Sequence, residues 1–316
     1  MLLEKNEVKN ILCCPQTGDK LIKSGSKLVP EPNQDPNQEP IEYDIIDDYP
    51  VLIDFDRSVL EKENFRNVSS VVARHSYSGL SGVVKRLVSS PKNVTAENVE
   101  HIMNLLLRTK TRARVLIVGG GTIGQGMGPF YSDPRIELVS FDIYGAETVQ
   151  FIADAHSIPL PANSFDAVII QAVLEHVLEP NTVVSEIYRV LRSSGLVYSE
   201  TPFLQHVHEG AYDFSRFTES GHRYLFKKFE MIKSGASAGA GTQLLWSLDN
   251  FFRGLFRSRK AGKAIKLLFF WLQHLDKAIP EPYNIDAASG VFFLGKKQMT
   301  PIDGKKIVAH YMGAQR

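Results

Sequence analysis

Two stretches of the chain hold residue types at spacings that chemistry can use. The first is Val115-Leu-Ile-Val-Gly119-Gly-Gly121-Thr-Ile-Gly124, an apolar run that ends in Gly-x-Gly-x-x-Gly. Glycines in such a turn adopt dihedrals closed to other residues and let a ligand approach the backbone. Asp142 closes the next apolar run, where a carboxylate can accept hydrogen bonds from ribose hydroxyls. Turn and carboxylate together point to an adenosine-bearing cofactor without choosing among such cofactors.

The second stretch is Thr201-Pro-Phe-Leu-Gln-His206-Val-His208-Glu209-Gly-Ala-Tyr212-Asp213-Phe-Ser-Arg216-Phe-Thr218, dense in ionisable, aromatic and amide side chains. His206, His208 and Glu209 are candidate catalytic bases, a role worth roughly 10²–10⁴-fold in rate. Tyr212, Asp213 and Arg216 are candidate substrate contacts, with an Asp213–Arg216 ion pair that fixes the loop as the alternative. His206-x-His208-Glu209 lacks helical spacing and an evident third ligand, so no metal is expected.

The elements that must position these residues follow from periodicity. From Arg114 onward strand-like runs at Val115–Val118, Ile136–Ile143, Val149–Ala153, Phe165–Val173 and Leu196–Glu200 alternate with helical patterns. Asn181–Arg192, for example, places Val183, Ile187, Val190 and Leu191 on one face. Such alternation implies an α/β, doubly wound sheet, mostly parallel and Rossmann-like. Ligands bind such sheets outside the carboxyl ends of the strands, where both stretches begin. A last strand, Gly290–Lys296, follows a helical insertion.

The block between the two stretches separates the cofactors. Asp154-Ala-His-Ser-Ile-Pro-Leu-Pro-Ala-Asn-Ser-Phe-Asp166 runs into Ala-Val-Ile-Ile-Gln171-Ala-Val-Leu-Glu175-His176. With Arg189-Val-Leu-Arg192-x-x-Gly195 after it, this resembles the class I S-adenosylmethionine-dependent methyltransferases over about 113–235 and again at Gly290–Lys296. The resemblance implies a seven-stranded sheet and S-adenosyl-L-methionine as cofactor. It places Gly119, Gly121 and Gly124 beneath the methionine part, Asp142 on the ribose, Asp154 and Ala155 at the adenine, and Gln171 where the fourth strand opens toward the cofactor. One departure stands out. Ile117 occupies the position, two before the first glycine, where the family carries an acid that helps to hold the methionine ammonium. Glu175 and His176 read either as residues packing the loop or as part of the site, and Asp166 as a turn residue.

The 206–226 segment is similar to one in bacterial methyltransferases of glycan biosynthesis, which implies a hydroxyl on a sugar, glycan or related small molecule as acceptor. Two other classes use the same glycine turn: an NAD-dependent oxidoreductase, which leaves the Asp154–His176 block unexplained, and a non-catalytic binding module, which Ile117 motivates. RNA methylation would want a basic face. The 36 Lys and Arg against 35 Asp and Glu, a net charge of +1, give no strong nucleic-acid signal.

Four regions divide the chain: a small β-rich module (1–57), a helical linker (58–112), the methyltransferase-like domain (113–242 and 288–316) and a helical insertion (243–287). Asn93 or Thr95 is the expected cap of the linker's second helix. The module carries a proline-rich polar loop at 30–40. Ile11-Leu-Cys-Cys14-Pro and Tyr43-x-Ile-x-Asp-Asp-Tyr-Pro50 resemble the small domain of the tRNA-methyltransferase activator family. Adjacent Cys13 and Cys14, the only cysteines, do not match the paired knuckles of its zinc-binding members. The insertion mixes an apolar series from Leu244 to Phe256 with a basic run from Arg253 to Lys266, which suits a lid or a peripheral contact with an anionic membrane. With no export signal at Met1–Asn10 and no apolar run near the ~20 residues of a membrane span, a cytoplasmic protein is expected.

Overall fold

The computed structural model describes residues 1–31, 40–65 and 93–315. The proline-rich loop (32–39) and most of the expected first linker helix (66–92) lie outside the described residues. Among the described residues eleven strands form one sheet: β1 Leu21–Ser24, β2 Lys27–Pro30, β3 Tyr43–Ile46, β4 Tyr49–Leu52, β5 Ala113–Val118, β6 Ile136–Asp142, β7 Phe151–Ala153, β8 Phe165–Gln171, β9 Leu191–Pro202, β10 Phe229–Ala238 and β11 Gly290–Lys297. Their order is β1-β2-β3-β4-β7-β6-β5-β8-β9-β11-β10.

The expected seven-stranded, mostly parallel sheet is corrected in two respects. First, the N-terminal strands continue the sheet instead of standing beside it. Val51 and Leu52 of β4 pair in parallel with Ile152 and Ala153 of β7. Second, only the run from β4 through β9 is parallel, since β11 pairs antiparallel with β9 and β10 antiparallel with β11. Ahead of the short β7, the edge of β6 is covered by Leu2, bridged to Leu138, and by the buried Gln150 side chain. That amide accepts from the Ser140 N–H at 2.6 Å and donates to the Leu3 and Leu138 carbonyls.

The strands are apolar on both faces because both are covered. Leu116 and Val118 join a core with Phe141, Ile170, Val183 and Ile187. Their neighbours Val115 and Ile117 face the other way, into a core with Val99, Ile102, Phe130 and Tyr198. This period-two split is what makes the sheet doubly wound.

Nine α-helices are described: α1 Lys5–Lys9, α2 Asn93–Thr109, α3 Gly128–Ser132, α4 Pro180–Val190, α5 Glu219–Leu225, α6 Ala240–Leu255, α7 Arg259–Leu268, α8 Glu281–Asp286 and α9 Gly304–His310. Helix α2 already includes Thr95, whose side chain points inward to Glu200 and so does not cap it. Asp166 is not a turn residue either. It lies buried in β8 and accepts hydrogen bonds from Lys110, the Arg114 N–H and Arg192, which tie three chain segments to the strand.

The insertion between β10 and β11 comprises α6, α7, a 3-10 segment at Phe270–Lys277 and α8. Its entry is fixed by Asp276, whose carboxylate accepts from the N–H groups of Gly239, Gly241 and Thr242 at the start of α6. Helix N-termini carry unsatisfied N–H groups and partial positive charge, so one carboxylate satisfies both needs. No described helix is long and apolar enough to cross a membrane.

Candidate active site

A cleft of ≈ 870 Å³ opens at the carboxyl ends of β5 to β9, as expected of such a sheet. Its floor is the glycine turn after β5. Gly119 has φ of +78°, and a Cβ there would lie 2.2 Å from Val173 Cγ2. A Cβ on Gly124 would lie 2.0 Å from Gln171 Oε1, so the turn closes directly onto the end of β8. Asp142, at the end of β6, accepts the Gly121 N–H at 2.8 Å and the Ile143 N–H at 2.7 Å. Gly121 belongs to the turn without lining the cleft; Gly119, Gly124, Asp142, Asp154, Ala155 and Gln171 all line it.

Asp154, after β7, is held by His156, whose N–H it accepts at 2.9 Å and whose Nδ1 lies 2.5 Å away, and by the Ser58 hydroxyl. Burial works to raise the Asp154 carboxyl, but these hydrogen bonds outweigh it and leave it below the usual carboxylate range. His156 is raised in turn, chiefly by that hydrogen bond.

Behind the glycine turn sits a residue that the sequence reading overlooked. Glu200 in β9 is buried and lines the cleft. It accepts from Gln171 Nε2 at 2.7 Å, from Thr95 Oγ1 at 2.6 Å and from the Tyr198 hydroxyl. Its only visible sign was an acid closing an apolar strand.

The opposite wall gathers residues from two loops. His208 and Glu209 line the cleft, whereas His206 is exposed and does not. Tyr212 also lines it, and its carbonyl meets His176 Nδ1 at 2.6 Å. Asp213 and Arg216, expected to touch substrate, do not line the cleft. They form an ion pair instead, and Arg216 also donates to the Gln205, Ser215 and His206 carbonyls. That pairing holds the Asp213 carboxyl down at about 2. Asp213 Oδ2 also accepts the His208 N–H at 2.9 Å and lies 3.3 Å from His208 Nδ1.

Glu175 and His176 lie beside His208. Glu175 is 1% exposed, and burial pushes its carboxyl up to about 7. Its Oε1 lies 3.7 Å from His176 Nε2 and 3.9 Å from His208 Nε2. Burial lowers His176, partly offset by the Tyr212 carbonyl. The His206-x-His208-Glu209 spacing, from which no metal is expected, shares only His208 with this cluster. Trp246, on α6 of the insertion, also lines the cleft.

Comparison with known proteins bears on this site. Residues 132–199, which include β6 to β8 and most of β9, match the family model described as a methyltransferase domain. The chain is 30% identical over 111 residues to a demethylmenaquinone methyltransferase of Clavibacter sepedonicus, a match covering 35% of this chain and 44% of that protein. The chain thus spans less than half the length of that curated relative. Among solved structures, it is similar to a putative sarcosine dimethylglycine methyltransferase from Galdieria sulphuraria (14% identity, 65% of this chain and 86% of that one, TM-score 0.43). It is also similar to phosphoethanolamine N-methyltransferase 2 of Haemonchus contortus with S-adenosyl-L-methionine bound (18% identity, 64% and 53%, TM-score 0.41).

Proposed function

We propose that this chain is an S-adenosylmethionine-dependent methyltransferase acting on a hydroxyl of a sugar, glycan or related small molecule. One observation carries the cofactor assignment. The glycine turn, Asp142 and Asp154 stand at the ends of three neighbouring strands around a single cleft, and the matched methyltransferase domain covers both carboxylates. Asp142 would receive the ribose hydroxyls, Asp154 and Ala155 the adenine, and the turn the methionine part.

When bound, the cofactor supplies an electrophilic methyl group on a sulfonium. The protein's share is to align the acceptor, where near-ideal positioning is worth up to ~7–11 kcal/mol, and to help remove the acceptor's proton. His208, Glu209, Glu175 and His176 form the polar wall suited to that task. The sugar or glycan class rests on the resemblance of the 206–226 segment. A lipid-linked acceptor is the version that the insertion favours: Trp246 reaches the cleft while Phe251, Leu255, Phe256 and Leu268 of the same insertion stand 61–64% exposed.

Calorimetric titration tests the cofactor. Micromolar binding of S-adenosylmethionine or S-adenosylhomocysteine, with none of NAD, is expected. Asp142→Ala should weaken it sharply and His208→Ala should spare it. Absence of adenosyl binding, or preference for NAD, would overturn the reading. Transfer of labelled methyl to free and lipid-linked glycan acceptors then tests the substrate class.

A further inference from the structure

We infer that Glu175, His176 and His208 form a site for a divalent transition cation of the zinc type, at the acceptor end of the cleft. One potential ligand atom from each of Glu175, His176 and His208 lies within 4.8 Å of the other two. Two ligand atoms about 2.1 Å from a shared tetrahedral cation stand about 3.4 Å apart. The 3.7 and 3.9 Å separations from Glu175 Oε1 to the two imidazoles therefore need only small side-chain rotations.

Three further features distinguish this cluster from a chance meeting of polar groups. Glu175 is almost wholly buried, yet its Oε1 has no hydrogen-bond partner among the described residues, while Oε2 takes a long 3.4 Å contact from Thr201. A buried carboxylate oxygen left without a donor is costly, and a cation would satisfy it. Each imidazole is also oriented from behind. His176 Nδ1 faces the Tyr212 carbonyl at 2.6 Å, and His208 Nδ1 faces Asp213 Oδ2 at 3.3 Å. A proton on each Nδ1 would leave both Nε2 lone pairs toward Glu175, the backing that metal-bound histidines characteristically have. Finally, three protein ligands on a cleft wall leave a coordination position for a small molecule, as catalytic zinc sites do. Two imidazoles with one carboxylate suit zinc and its first-row neighbours better than magnesium or calcium.

This inference rests on the methyltransferase reading for its chemical role. The acceptor hydroxyl would ligate the cation, which lowers its pKa so that the proton passes to water. The O–CH₃ bond forms as the S–CH₃ bond breaks, and the sulfonium leaves as a neutral thioether.

The test is equilibrium dialysis of the metal-stripped full chain against Zn²⁺, with bound metal counted by mass spectrometry. One equivalent should be retained by the wild type and by His206→Gln, whose exposed side chain lies outside the cleft. His176→Gln and His208→Gln should each lose more than the roughly 10–100-fold in affinity that changes behind a ligand cost. Both sites are partly exposed, and circular dichroism melts verify that the variants fold. No uptake by the wild type, or equal uptake by both glutamine variants, would overturn the site. S-adenosylhomocysteine titration on the same samples separates the two readings. Zinc uptake without adenosyl binding would uphold the cation site and remove its role in methyl transfer. Adenosyl binding without zinc uptake would overturn the site and leave the methyltransferase reading standing.

Discussion

Thr95 of α2 donates a 2.6 Å hydrogen bond to Glu200 Oε1 in β9, joining two buried side chains 105 positions apart in the chain. The contact ties the linker helix to the floor of the cleft. It also holds a carboxylate beside Gln171, which closes onto the glycine turn at Gly124. Glu200→Gln keeps the size of the side chain and removes its charge. Affinity for S-adenosylhomocysteine should fall by about 10-fold or more, in keeping with the roughly 1.5–3 kcal/mol of a hydrogen bond to a charged group. Calorimetry that finds no change would exclude Glu200 from cofactor binding.

Gly124 has no room for a side chain. Alanine there would bring its Cβ to 2.0 Å from Gln171 Oε1, so Gln171 must swing away and give up its 2.7 Å bond to Glu200. Gly124→Ala should weaken adenosyl binding by about 10-fold while costing about 1–2 kcal/mol of stability. Gly119→Ala should do worse on both counts, since a positive φ adds strain to the 2.2 Å clash with Val173. Equal effects from the two variants would contradict this ranking.

Removing Arg216 strands Asp213, whose side chain is fully buried, and frees the Gln205 and His206 carbonyls. Because the Arg216 side chain is itself 23% exposed, the cost of Arg216→Ala should be about 1–3 kcal/mol, below that of a fully buried pair. Urea unfolding measures this. Protease should also cut the 203–216 segment faster in the variant, since the same pair carries the backing of His208.

Acid should weaken the fold through His222. Its imidazole is buried among Phe217, Phe226 and Phe293, meets Ser199 Oγ at 2.9 Å, and is pushed down to about 3 by burial. The unfolded chain takes up this proton near pH ~6.5 and the native protein does not. The stabilisation is therefore complete above about pH 6.5 and is lost as pH falls toward about 3, with about 2 kcal/mol gone by about pH 5. Comparing urea unfolding at both pH values with the His222→Leu/Ser199→Ala double variant isolates this group. Parallel losses in the two proteins would exclude it.

What the sequence made legible was local. The glycine turn, Asp142 and Asp154 each sit where an apolar run breaks, so periodicity alone places them at strand ends. Glu200 was hidden because its partners Thr95, Tyr198 and Gln171 come from three elements, and an acid ending an apolar strand gives no sign of them. The eleven-stranded sheet was hidden likewise, since nothing near Val51 or Ile152 announces that β4 and β7 will pair. Asp213 and Arg216 were visible as a charged pair, but whether they face a ligand or each other depends on where the backbone carbonyls of Gln205 and His206 fall. His176 and His208 follow different strands, and only the pairing of β8 with β9 brings their loops together.

The two tryptophans of the chain, Trp246 and Trp271, both lie in the insertion, and Trp246 lines the cleft with the Lys266 ammonium 3.8 Å from the centre of its ring. The protein's tryptophan emission therefore originates entirely from the insertion, and the sheet contributes none of it. In Trp271→Phe, emission would come from a single indole at the ligand's doorway, giving a built-in optical gauge of occupancy that needs no dye.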